Sequence, residues 1–367
     1  MNDNIFVKSG ENGYNIMLRY DFKDLSGALK EMGFENRRIC IVSDDNVFPL
    51  YGDELKNELR DVSGDVFSIV FRAGEEHKNL DTVREIYKGL NGYKLDRKDL
   101  ILALGGGVTG DMAGFAAATY LRGIAFVQLP TTLLACTDSS IGGKTGVDLD
   151  EYKNMVGAFY MPRLVYMNLK TLSSLSGREF ASGMGEIIKH GLIKDSAYYE
   201  WVINNFSEIN DREPEVLLSM IRRSLEIKRD VVESDPYETG ERALLNFGHT
   251  TGHAIEKYTD FKLMHGECVA LGIIAAGFIS YKRGMLSTEE FYEIRDMFVP
   301  FGLPITLEDD AEPEKILSLT KSDKKMDNGR IRFILLKKVG KAYIDTTVTD
   351  DEILSGIREL IISDEDR

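Results

Sequence analysis

Short apolar, β-branched runs punctuate the first half of the chain: ICIVS (39–43), VFSIVF (66–71), LILAL (100–104), AFVQL (125–129) and LVYMN (164–168). Segments with helical spacing fall between them, among them Leu80 to Leu90 and Val108 to Tyr120. This alternation predicts an α/β domain built on a parallel sheet. Beyond about residue 170 the strand pattern stops and helical spacing takes over at about 179–193, 214–233, 246–258, 266–283 and 288–299. RIRFILLKKVGKAYIDTTV (330–348) then reads as a hairpin. A length of 367 residues exceeds what one core usually supports, so a second, mainly helical domain with a cleft beside the first is the expected organisation.

Composition narrows the function. Hydrophobic residues at 43% and charged residues at 29% are those of a soluble globular enzyme. A net charge of −15 argues against nucleic acid and anionic membranes as partners, so an anionic substrate would have to find a local basic pocket. Cys40, Cys136 and Cys268 lie in apolar stretches without CxxC spacing and read as buried thiols in a reducing compartment. MNDNIFVKSG has no apolar leader core, and the longest apolar run, Cys268 to Tyr281, is too short for a bilayer; a cytoplasmic protein is expected.

The run LILAL leads directly into Gly105-Gly106-Gly107-Val108-Thr109-Gly110-Asp111, a G-x-G-x-x-G at a strand-to-helix turn. Glycines there let a pyrophosphate approach the N–H groups of a helix N-terminus. A glycine turn used only for close helix–strand packing is the alternative. The usual acidic residue some twenty positions on is replaced by YLRGIAFVQ, so Asp44, after ICIVS, is the better candidate for the ribose hydroxyls. The segment from Pro130 to Gly146 surrounds Asp138 and Lys144 with small residues and hydroxyls, a lining for a polar ligand that lacks Walker spacing; Lys153 and Asn154 follow.

Three of the five histidines, His249, His253 and His265, fall within Leu244 to Gly266. His249 and His253 are four apart and share a helical face, while His265 precedes a second apolar run. Such crowding points to a divalent metal with an acid/base partner rather than to packed core histidines. Asn246 and Gly248 fit a polar helix entry. Glu186 could add a hard oxygen ligand; it shares a face with Lys189 and lies four residues from His190, a rival ligand that spacing alone leaves open. Lys228, Arg242, Lys324 and Lys325 each read singly as surface cations. Taken with Arg122, Lys144, Lys153 and Lys189 they could neutralise a phosphate and a carboxylate.

From about Asp44 to Gly340 the sequence resembles the 3-dehydroquinate synthases. The motifs are GGGVTGDMAGFAAATYLRG (105–123), PTTLLACTDSSIGGKTGVD (130–148), KNMVGAFYMP (153–162), GEIIKHGLI (185–193), LNFGHTTGHAIE (245–256) and HGECVALG (265–272). The resemblance implies a Rossmann-like NAD-binding domain at 1–177, a helical metal- and substrate-binding domain at 178–367, and a homodimer. It implies Glu186, His249 and His265 as ligands of Zn2+, with Co2+ as the alternative, and His253 as a proton relay. That departs from the spacing argument, which would give the metal both His249 and His253.

Implied substrate contacts are Arg122, Asp138, Lys144, Asn154, Lys189, Lys228, Arg242, Asn246 and one of Lys324 and Lys325. Implied NAD contacts are Asp44, Asn46, Glu75, Lys78, Gly106, Gly107, Asp111, Thr131, Thr132 and Lys153, with Asp138 and Lys144 bordering both sets. Cys136-Thr137 stands where methionine-valine is common, and Thr109 where valine is common. The implied reaction takes 3-deoxy-D-arabino-heptulosonate 7-phosphate to 3-dehydroquinate and phosphate, in the shikimate pathway, with NAD reused in each turnover. A cyclase of secondary metabolism and a metal-dependent polyol dehydrogenase are the competing readings; the second would not require so many phosphate-binding cations.

Overall fold

The central runs that read as strands are apolar at nearly every position because both faces of the sheet are covered there, whereas the edge run at 66–71 leaves Val70 exposed. The computed structural model describes residues 4–9, 12–150, 152–236, 238, 240–308, 310–321, 326–327 and 330–361. Lys324 and Lys325 lie outside the described residues. The chain divides into two compact units, Met1–Leu175 and Ser176–Arg367.

In the first unit the elements are β1 (Asn4–Ser9), β2 (Asn12–Arg19), α1 (Lys23–Glu31), β3 (Ile39–Asp44), α2 (Phe48–Glu58), β4 (Val66–Phe71), α3 (Leu80–Gly92), β5 (Leu100–Gly105), α4 (Gly107–Thr119), β6 (Ala125–Pro130), β7 (Lys144–Leu149), β8 (Tyr152–Phe159) and β9 (Leu164–Asn168). The sheet order is β1-β2-β9-β6-β5-β3-β4. Only β1 and β2 pair antiparallel in it. Alternate residues of the central strands feed two cores. Cys40, Val42, Ile101 and Ala103 pack with Val83, Ile86, Met112 and Ala116 of α3 and α4. Ile39, Ile41, Leu100 and Leu102 pack with Leu25, Leu29 and Leu55 of α1 and α2. Strand order reverses between β3 and β5, because the chain goes from β3 outward to β4 and then returns to the other side. In open α/β sheets the carboxyl ends of strands at such a reversal are where ligands bind.

The second unit contains α5 (Gly177–Lys194), α6 (Ser196–Asn204), α7 (Phe206–Asn210), α8 (Pro214–Ser234), α9 (His249–Tyr258), α10 (His265–Lys282), α11 (Thr288–Asp296), α12 (Pro313–Thr320), two short strands β10 (Met326–Asp327) and β11 (Arg330–Ile331), the hairpin β12 (Phe333–Lys338) with β13 (Lys341–Asp345), and α13 (Asp350–Glu359). Apolar on all sides, α10 is the buried axis and packs against α5, α9, α11, α13 and β12. The helix expected from 246 starts only at His249. A 3-10 turn covers Glu241–Asn246, and Gly248, left-handed at φ 80°, separates it from α9. The pattern expected to run to 299 closes at Asp296 and gives way to a 3-10 turn at Val299–Phe301. No helix among the described residues is long and apolar enough to cross a membrane.

Candidate functional site

In the second unit, each of three chemically active side chains is next to a glycine at a helix contact. Glu186 follows Gly185 on α5, His249 follows Gly248 at the start of α9, and His265 precedes Gly266 at the start of α10. A Cβ on Gly185 would stand 2.7 Å from the Gly266 carbonyl oxygen, and one on Gly248 would stand 2.9 Å from the Val269 carbonyl oxygen. A Cβ on Gly266 would overlap the carbonyl of Ser182 outright. The helices therefore touch backbone to backbone, which lets side chains from three segments converge. The start of α5 is fixed by a capping box, in which Ser176 Oγ accepts from Glu179 N–H and the Glu179 carboxylate accepts from Ser176 N–H.

Glu186 Oε1 lies 3.4 Å from His249 Nε2 and 3.6 Å from His265 Nε2. It is buried and has no hydrogen-bond partner. Four ligands about 2.0–2.1 Å from a tetrahedral zinc stand about 3.4 Å apart, so these separations are the edges of such a site. The carbonyl of Phe247 accepts from His249 Nδ1 at 3.1 Å, so Nε2 is the ring nitrogen turned toward Glu186. The residues present thus fit a divalent cation. The other oxygen of Glu186 accepts from the Lys189 ammonium. Burial would push the Glu186 carboxyl up, but Lys189, then His265 and His190, outweigh it and hold the group far below the usual carboxylate range.

His253 is close by, with ring centroids 5.2 Å from His249 and 5.9 Å from His265. It forms a second ligand-like group with Glu256 and His265, so His265 is common to both groups. His190 turns Nδ1 to Ser224 Oγ at 2.8 Å.

The lysines and arginines buried among the described residues are Lys78, Lys189, Lys228, Arg242 and Arg295. All but Arg295 were singled out from sequence, and an acidic protein has little reason to bury cations except to meet anions. Arg242 is held by its neighbours: Asp235 Oδ2 accepts from its N–H at 3.0 Å, and its Nη1 donates to the Pro236 carbonyl at 2.6 Å. Asn246 Nδ2 donates to Glu238 Oε1 at 2.6 Å. Glu238, which has a left-handed φ of 59°, was missed because nothing in its spacing distinguishes it from other surface acids. Arg122 and Lys144 are exposed, and Asp138 is half-buried in a π-helical turn at Ala135–Ser139.

In the first unit, Asp44 and Gly105 end the adjacent strands β3 and β5 at the reversal of strand order. Gly106 caps α4 without a side-chain bond. The glycine run serves the packing purpose weighed from sequence and leaves room beside Gly106. A Cβ on Gly110 would stand 2.6 Å from Gln128 Oε1, a packing constraint, whereas at Gly106 the nearest atom is a Thr132 methyl at 3.1 Å. Thr131 Oγ1 is buried without a hydrogen-bond partner, an orphan hydroxyl at the end of β6 that suits a polar ligand.

Lys78 Nζ bridges Asp111 Oδ2 and Asn154 Oδ1, both at 2.7 Å, while Lys153 lies 3.6 Å from Glu75. Burial alone would lower the Lys78 pKa, but Asp111 and Glu75 outweigh it and raise it. Burial also pushes the Asp111 carboxyl up, against the pull of Lys78. The 2.7 Å contact is that of an ammonium on a carboxylate. Asn154, grouped with the substrate contacts from sequence, thus shares one network with Lys78 and Asp111. Asn46 and Lys153 complete the implied set, exposed and half-buried respectively.

Comparison with known proteins agrees with these features. The family model described as 3-dehydroquinate synthase N-terminal matches residues 68–182, and that described as 3-dehydroquinate synthase C-terminal matches 183–326. A 3-dehydroquinate synthase from Acetivibrio thermocellus is 41% identical over 351 residues, 96% of this chain and 97% of that protein. Among solved structures, a 2-epi-5-epi-valiolone synthase from Streptomyces hygroscopicus with NAD+ and Zn2+ bound superposes with a TM-score of 0.88 at 27% identity, covering 96% of this chain and 98% of that one. A 2-deoxy-scyllo-inosose synthase complexed with carbaglucose-6-phosphate, NAD+ and Co2+ gives 0.87 at 27% identity, covering 97% and 99%. With both family models matched end to end and that level of identity across nearly the whole length, the chain belongs to the 3-dehydroquinate synthase family.

Proposed function

We propose that this chain converts 3-deoxy-D-arabino-heptulosonate 7-phosphate to 3-dehydroquinate and phosphate, with NAD and a divalent metal bound. The observation that carries this reading is the buried, partnerless Glu186 Oε1 flanked by two imidazole nitrogens, beside a buried lysine. Identity of 41% to a synthase of this reaction, against 27% to cyclases acting on other sugar phosphates, favours it over the secondary-metabolism alternative.

Glu186, His249 and His265 would hold the metal, zinc or cobalt, which supplies Lewis acidity to the C4 and C5 hydroxyls. Asp44, Asn46, Glu75, Lys78, Gly106, Gly107, Asp111, Thr131, Thr132 and Lys153 would hold NAD, which supplies the oxidant and then the reductant for C5. Lys189, Lys228 and Arg242 neutralise the phosphate and carboxylate, and Asn246, oriented by Glu238, donates a hydrogen bond to the substrate. Arg122, Asp138, Lys144 and Asn154 are further substrate contacts. His253 relays the proton of the oxidised hydroxyl. Buried free thiols at Cys40, Cys136 and Cys268 suit a cytoplasmic enzyme, and a homodimer is the family expectation.

The test is phosphate release from the heptulosonate phosphate with only catalytic NAD. Free NADH should not accumulate. Steady NADH production without matching phosphate is the behaviour of a dehydrogenase and would sink the reading.

A further inference from the structure

The Asp44 carboxylate is already held from three directions. Its Oδ1 accepts from the backbone N–H groups of Asn46 and Val47 at 3.0 and 2.9 Å, and its Oδ2 accepts from the Thr109 hydroxyl at 2.9 Å. Asp44 is 8% exposed and Thr109 only 1%, so water does not compete freely for this contact. A carboxylate offers about four lone-pair positions, and three donors leave about one for a ligand.

Thr109 reaches Asp44 because Gly105 has no side chain. A Cβ on Gly105 would stand 2.7 Å from Thr109 Cβ and overlap its hydroxyl. One residue earlier, Ser43 Oγ donates to the Leu104 carbonyl at 2.7 Å and ties the ends of β3 and β5 together. The Asp44 carboxylate is therefore fixed at both oxygens, on a rigid strand end, at the reversal of strand order.

We infer that Thr109 is a positioning residue that locks Asp44 to receive one ribose hydroxyl of the cofactor, and thereby selects NAD over a cofactor carrying a 2′-phosphate. The inference rests on the NAD reading above. A carboxylate that cannot swing aside keeps its charge facing an incoming phosphate, whereas a freely rotating one can turn away. Preorganisation of this kind raises affinity by removing the cost of ordering the group on binding.

The isosteric Thr109→Val removes the donor and keeps the shape; Thr109→Ser keeps the donor. In calorimetric titrations of the full-length protein, Thr109→Val should bind NAD about three- to tenfold more weakly, the cost of ordering one side chain on binding, and should show a higher ratio of NADP to NAD affinity. Thr109→Ser should remain within about twofold of the parent for both cofactors. Thr109→Ala, which removes the same donor with a smaller side chain, should reproduce Thr109→Val and supplies the readout if that variant folds poorly. NAD affinity unchanged in Thr109→Val would overturn the inference. So would tighter binding, which would mean that the hydroxyl competes with the ribose, or an equal loss in Thr109→Ser. Failure of the parent protein to bind NAD at all would overturn both this and the functional reading.

Discussion

Replacing Gly266 with alanine isolates the contribution of helix contact to the metal centre. The added Cβ would meet the Ser182 carbonyl oxygen well inside contact distance and stand 2.7 Å from Ser182 Cα, on backbone that cannot rotate away. To restore van der Waals separation, the start of α10 must retreat from α5 by roughly 1.5 Å. The 3.0 Å bond from Gly266 N–H to Ser182 Oγ would be lost as well. Overpacking of this kind costs about 1–3 kcal/mol, which in a unit of this size lowers Tm by roughly 2–12 °C.

The effect on the metal should exceed that on the fold. His265, the adjacent residue, would leave the 3.6 Å edge it makes with Glu186 by far more than the ~0.2 Å that metal–ligand distances tolerate. Zinc affinity, measured by chelator competition, should fall by about a hundredfold or more. Gly277→Ala on the same helix is the control, since its nearest neighbour is Phe291 Cδ2 at 3.7 Å and alanine there relieves a mid-helix glycine. Parental zinc affinity and Tm in Gly266→Ala, or equal damage from Gly277→Ala, would refute the reasoning.

Single alanine variants of Glu186, His249 and His265 should each lose metal and activity together, whereas His253→Ala should keep its metal and lose rate; metal analysis beside kcat distinguishes them. Lys228→Met should lower kcat/KM by about tenfold or more through loss of a buried cation, while Arg229→Met, which breaks only the exposed pair with Asp230, should not. Glu352 accepts from Arg283 Nε at 2.6 Å and Nη2 at 2.9 Å, and that guanidinium, against some burial, holds its pKa down to about 2 from 4.5. A folded-state pKa below the unfolded one stabilises fully above about 4.5 and loses that contribution as pH falls toward about 2. The Tm difference between the parent and Glu352→Gln should therefore shrink from pH 7 to pH 3. It should correspond to no more than about 1 kcal/mol at neutral pH because the pair is partly exposed. A difference constant with pH would contradict the assignment.

Strands buried on both faces announce themselves in sequence, which is why β3, β5, β6 and β9 are legible as unbroken apolar runs; β4, at the sheet edge with Val70 exposed, is legible from its β-branched and aromatic residues instead. The β1–β2 and β7–β8 hairpins are not. The first buries one face only, with Ile5, Val7, Tyr14, Ile16 and Leu18 alternating with more exposed positions, and the second alternates half-buried and exposed positions along β8. Helix onsets depend on backbone conformations that spacing does not encode, and Gly248 moves the start of α9 by three residues from the position its apolar pattern predicts. The histidine cluster stood out through its spacing. Glu186 was legible only as a rival of His190, because its convergence with His249 and His265 depends on glycine contacts between helices distant in sequence. Gly185, Gly248 and Gly266 are the visible trace of those contacts, each adjacent to a metal-ligating side-chain type, but single glycines are too common to be read that way without the fold.

Because Gly185, Gly248 and Gly266 sit in backbone-to-backbone helix contacts, a metal held by the neighbouring Glu186, His249 and His265 would find its ligands already brought together. Little chain entropy has to be spent at the moment of capture, and little structure should be lost on release. Exhaustive chelation should therefore give a protein that melts within a few degrees of the loaded form and regains its metal without refolding, unlike small zinc domains whose fold is the metal's doing. For such a protein the metal would be an exchangeable reagent housed in a permanent socket.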